Sequence, residues 1–159
     1  ERMIETAYEQ RPDDVAIVDS LGWARYLRGE LEDVAGEDGR VIPGAVTLLQ
    51  RAADLTAAAF DEVTYIVIHD HLGDALWASG RRDQAADMWR RASGVADKTI
   101  ADLNLDALPD DQLDGAMREV MTRAQSLRTK LEAATAGEDP PIAVPVHAPP
   151  AAPNDANPF

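Results

Sequence analysis

The chain has 159 residues, enough for one compact domain and too few for two comfortable ones. It carries 29 acidic against 15 basic residues, a formal charge of −14, so it lacks the basic footprint that a nucleic-acid or anionic-membrane partner requires. Cysteine is absent, which excludes a disulfide framework and thiolate chemistry and fits a cytoplasmic or a periplasmic chain equally.

Apolar residues make up 45 % of the chain but aromatics only 5 %, with alanine supplying much of the difference. That mixture suits close-packed helices better than a sheet, which draws on β-branched and aromatic residues, and an all-α fold is expected. No stretch approaches the roughly 18–20 apolar residues of a membrane span, so no membrane insertion is expected. The chain opens at Glu1 without a methionine and without a signal-peptide pattern, and is expected to be a piece of something longer.

Taken in order, the first helix is expected to end near Gln10, with Pro12-Asp13-Asp14 as its turn. A second runs over about 15–28 and stops at Gly29, where a left-handed C-terminal residue is favourable. Gly36-Glu37-Asp38-Gly39 reads as a polar turn within a loop, and Pro43 begins a helix over 43–58. Helices over 62–79 and 82–104 follow, separated by Gly80. Within the former, Val63-Thr64-Tyr65-Ile66-Val67-Ile68 has the local preference of a strand. A lone strand would have nothing to pair with, so a helix is expected there. Behind Pro109 a helix over 109–135 carries Leu113, Met117, Val120, Ala124, Leu127 and Leu131 at steps of 4, 3, 4, 3 and 4, one apolar stripe. From Gly137 onward seven of the ten prolines crowd into 23 residues, a composition that predicts a disordered or extended tail. Its Pro150–Pro153 spacing lacks the basic neighbour that ligands of that kind usually carry.

An internal repeat organises these elements. Asp19-Ser20-Leu21-Gly22-Trp23-Ala24 aligns with Asp70-His71-Leu72-Gly73-Asp74-Ala75, and in both blocks a second glycine, Gly29 or Gly80, follows seven positions after the first. Ala85, Trp89 and Ala92 lie 5, 9 and 12 positions after Gly80, whereas Ala45, Leu49 and Ala52 lie 16, 20 and 23 after Gly29. The constant shift of 11 residues means a single insertion between Gly29 and Ala45 explains all three displacements. Small residues at these points let helices approach closely, and the larger apolar residues fill the space beside them.

The pattern Leu-Gly, Gly, Ala, bulky apolar, Ala resembles the tetratricopeptide repeat, a helix–turn–helix unit of about 34 residues, and is most similar to bacterial multi-repeat members. The resemblance implies a repeat region over 1–105, made of a partial repeat (1–12), a repeat with the insertion (13–58) and a repeat over 61–104. A C-terminal capping helix (106–136) and a disordered Pro/Ala-rich tail (137–159) would follow. The sequence departs from the family at its early tryptophan position, which is Val18 or His69, and at its tyrosine position, which is Arg25 or Leu76. The closing proline is missing after Ala52 and after Ala92.

The family's first helices line a concave groove that holds a protein or peptide. Carried onto this sequence, the groove residues are Asp19, Ser20, Trp23 and Tyr26, then Asp70, His71, Asp74 and Trp77. This lining is acidic and aromatic, so a basic or apolar segment is the expected guest. The simpler alternative is that these charges solvate an open face while Trp23 and Trp77 pack on neighbouring helices. Two further expectations compete with groove binding. The stripe of 113–131 could pair two chains into a homo-oligomer rather than cap the array. His71 and Asp74, three apart on a helix, could share a metal ion in an enzyme, although two ligands make a weak site and His69 would point elsewhere. With no nucleophile elbow and no phosphate loop, no catalytic role and no cofactor is expected.

Overall fold

The computed structural model describes residues 2–58 and 61–144, and within them the fold is all-α apart from one small hairpin. The elements are α1 (Arg2–Gln10), α2 (Val15–Leu27), β1 (Val34–Ala35), β2 (Val41–Ile42), α3 (Ala45–Ala58), α4 (Glu62–Ala78), α5 (Arg82–Asp102) and α6 (Gly115–Ala136). Short 3-10 turns at Leu105–Ala107 and Asp110–Gln112 join α5 to α6.

Local chemistry fixes where the helices begin and end. The side chains of Asp14, Asp61 and Asp114 accept from the backbone N–H groups of Ile17, Val63 and Met117, capping α2, α4 and α6. At the other end Gly29 and Gly80 are both left-handed, with φ of 75° and 80°. The N–H of Gly29 donates to the Tyr26 carbonyl and that of Glu30 to Arg25; the N–H of Gly80 donates to Trp77 and that of Arg81 to Leu76. The same terminal motif therefore closes α2 and α4 at aligned positions.

The two helical pairs also meet through aligned residues. A Cβ added at Gly22 would lie 2.8 Å from Leu49 Cγ, and one added at Gly73 would lie 2.3 Å from Trp89 Nε1. Gly22 thus admits α3 to α2, and Gly73 admits α5 to α4. Ala45, Ala52, Ala85 and Ala92 are fully buried along the same helices. One continuous core runs from Val18 to Leu127, and full burial of a side chain such as Leu49 or Leu72 contributes about 2 kcal/mol.

Residues 62–68 are helical, as the repeat register predicts. α4 packs against α3, α5 and α6 and touches α2. Nine consecutive residues, Ile68–Leu76, are buried in consequence, whereas in the strand-like stretch Val63, Thr64, Tyr65 and Val67 are half-buried. A helix buried around its whole circumference, as over 68–76, has no reason to alternate apolar and polar faces.

Strand instead appears where none was expected. The inserted loop forms an antiparallel ribbon, pairing Val34 with Ile42 and Ala35 with Val41 around the polar Gly36–Gly39 turn. Pro43 consequently ends this ribbon, and α3 begins two residues later at Ala45.

The stripe of α6 faces inward. Val120, Ala124 and Leu127 are buried, Met117 and Leu131 pack against the core, and Leu113 is buried just ahead of the helix. The tail expectation needs correction for its first residues. Glu138–Val144 folds back along the helices with Pro140 buried and Ile142 packed on the core. His147 and the Pro150–Pro153 spacing lie outside the described residues.

Candidate functional site

The face shared by α2 and α4 carries an aromatic band. The His71 ring stacks on Trp23 at 4.2 Å between centroids, and Trp23 stacks on Tyr26 at 4.7 Å. His71 Nδ1 lies 2.9 Å from Asp19 Oδ1, and because a carboxylate can only accept, the nitrogen is the donor. Asp19, Trp23, Tyr26 and His71 therefore form one continuous group, built from residues three and four apart on α2 against one on α4. Beside it a hollow of about 220 Å³ is lined by Ala16, Asp19, Ser20, Val63, Thr64 and Val67.

Asp70 and Asp74 belong to a different side of α4, and here the open acidic groove must be corrected. Both are almost fully buried, because α6 lies over them. Lys130 Nζ stands 2.6 Å from Asp70 Oδ1 and 2.6 Å from Asp74 Oδ1. Arg123 donates to Asp70 Oδ2 at 2.6 Å and to Glu119 at 2.7 Å, and the Trp89 indole N–H donates to Asp74 at 3.2 Å. Two buried carboxylates thus face two cations from one helix, as burial of charge demands. The basic side chains expected of a guest come from the chain itself.

This environment moves protons in definite directions. Burial pushes the Asp74 carboxyl up to about 6; Lys130 opposes that rise and Asp70 adds to it. Burial, then the nearby charge of Asp74, pushes the Tyr26 phenol well above its ordinary range. Burial holds the His69 imidazole below its usual value, although its Nδ1 lies 2.9 Å from the Tyr65 carbonyl.

The remaining predicted groove residues divide. Ser20 is exposed; Trp77 is half-buried, stacked on Trp89 at 5.6 Å and covered by the Arg82 guanidinium 5.0 Å from its ring. Tyr26 is wholly buried, and its hydroxyl donates to the backbone carbonyl of Ala143. His71 and Asp74 do not converge on a shared point, since one pairs with Asp19 and the other with Lys130. Among the described residues no three metal-ligating side chains come together, and no helix is long and apolar enough to cross a membrane.

Sequence reasoning missed Lys130, Arg123 and the Pro140–Ala143 segment. A signal for the first two existed. Arg123 and Lys130 are seven apart, two turns along one edge of the α6 stripe, while Asp70 and Asp74 are four apart on α4. Neither row reveals its partner until the helices are placed side by side. No family model matches the chain, and neither the curated proteins nor the solved structures contain a match to it.

Proposed function

We propose that the chain is part of a tetratricopeptide-type scaffold that binds a protein or peptide segment on the face made by α2 and α4. The observation that carries this reading is the repeated seam: aligned glycines, Gly22 and Gly73, admit aligned bulky residues, Leu49 and Trp89. Matching left-handed stops at Gly29 and Gly80 support it independently. In this reading α6 is the cap, because its stripe is spent on the chain's own core rather than offered to a second copy.

The guest is apolar and extended rather than basic. Asp70 and Asp74 are already neutralised by Lys130 and Arg123 and Asp19 is engaged by His71, which leaves Ala16, Ser20, Val63, Thr64 and Val67 around the hollow as the available lining. We read the chain as a binding module and not an enzyme, since His71 and Asp74 are each engaged with a different neighbour.

A photo-reactive group tests this directly. Placed at Ser20, exposed on α2, it is expected to cross-link a partner from the source cells. Placed at Gln50, exposed on α3, it is expected to give no such adduct. Equal labelling from both positions would remove the face assignment.

A further inference from the structure

The band of Trp23, Tyr26 and His71 is covered at one end by the non-helical segment that follows α6. After the left-handed Gly137 ends α6, residues 138–144 run from the start of α5, where Asp139 lies 4.0 Å from Arg82, to the last turn of α2. Pro140 is buried and Ile142 half-buried against the core, while Pro141, Ala143 and Val144 face outward. The Ile142 N–H donates to the Pro140 carbonyl at 2.8 Å, a tight turn at Pro141 that sends both anchoring side chains inward. Tyr26 holds the far end by donating to the Ala143 carbonyl, a backbone group that any sequence presents.

Extended peptides are commonly recognised in this way, with backbone hydrogen bonds for grip and a few side-chain anchors for choice. Few contacts secure the segment among the described residues: one buried proline, one half-buried isoleucine, a long, exposed ion pair and two hydrogen bonds, Glu138 N–H to the Ala133 carbonyl at its tethered end and Tyr26 to Ala143 at its far end. It stays in place chiefly because its tether to α6 is short, which gives a local concentration on the order of millimolar.

We infer that residues 138–144 are a displaceable internal ligand seated between the start of α5 and the last turn of α2, at one end of the aromatic band, occupying the seat of a partner segment with an acidic lead, a proline pair and a β-branched aliphatic residue. This deepens the scaffold reading and rests on it. The partner competes with the tether, so binding in trans is weak until the internal segment lets go.

The test uses the whole chain and a fluorescent synthetic peptide with the sequence of residues 137–144. Pro140→Ser combined with Ile142→Ser removes both anchors of the internal segment. The expected result is peptide binding at least tenfold tighter to this variant than to the unaltered chain, with a several-fold loss when Tyr26→Phe is added. Equal or absent binding to the variant would overturn the inference. So would loss of helical circular dichroism, since the segment would then be an integral part of the fold. Cross-linking at Ser20 that survives such a failure leaves the scaffold reading standing, whereas loss of both ends it.

Discussion

The pair α2–α3 seats Leu49 over Gly22 and leaves Asp19 and Trp23 half-buried along its flank, with Tyr26 buried and bonded to Ala143 of the segment after α6. The pair α4–α5 seats Trp89 over Gly73 and hides Asp70 and Asp74 under the whole length of a helix. The seams are equivalent, but one pair is closed by a thin strap and the other by an ion-paired cap. What differs is what lies over each pair. Over α4 and α5, α6 supplies both an apolar stripe and the two cations that meet Asp70 and Asp74. Along α2, Asp19 and Trp23 stay half-buried.

The largest effect is expected from breaking the cover of the second pair. Lys130→Met leaves two carboxylates buried against each other and should cost about 3–5 kcal/mol near neutral pH, as read from urea unfolding. Arg128→Met, which removes a half-exposed partner of Asp97, should leave the midpoint unchanged. Comparable losses from both variants would mean that the cap is not held by its buried pairs.

The seams should then separate by the stiffness of the residue each glycine faces. Gly73→Ala drives a methyl to 2.3 Å from a rigid, fully buried indole that also donates to Asp74, whereas Gly22→Ala brings it to 2.8 Å from the smaller Leu49 side chain. About 3 kcal/mol is expected for the former and about 1 kcal/mol for the latter, compared in the same unfolding assay. A reversed order would mean that the two pairs do not share a register.

The second pair should also carry a pH dependence centred on Asp74. With its folded value raised to about 6, Asp74 keeps its proton longer in the native state than in the unfolded chain. Its contribution is complete below the ordinary carboxylate range and is lost as pH climbs through about 6. The loss is about 2 kcal/mol, and Asp74→Asn should abolish it in stability curves taken between pH 4 and 7. Smallest and most alike are the caps: Asp14→Ala and Asp61→Ala should each cost about 1 kcal/mol, so a large inequality between them would argue against equivalent helix starts.

Most of the helical frame was legible because close packing needs small residues at fixed intervals, and Gly22, Gly73, Ala45, Ala85, Ala52 and Ala92 declare those intervals directly. The ribbon at Val34–Ile42 was not legible, since two-residue strands with exposed side chains leave no period to detect. Asp70 and Asp74 were read as open because a helix face shows its polarity but not what lies over it. Their cover, Lys130, stands 60 and 56 residues further on. Proline-rich composition speaks against residues after Gly137 building a core of their own. It is silent on whether they can lie on a core already built, as Pro140 and Ile142 do.

The equivalence of the two seams is most directly measured by nuclear Overhauser contacts in the isotope-labelled full chain. Contacts are expected from the Gly22 α-protons to the Leu49 methyl groups and from the Gly73 α-protons to the Trp89 indole ring. Finding one set without the other, or either glycine against a different side chain, would contradict that equivalence.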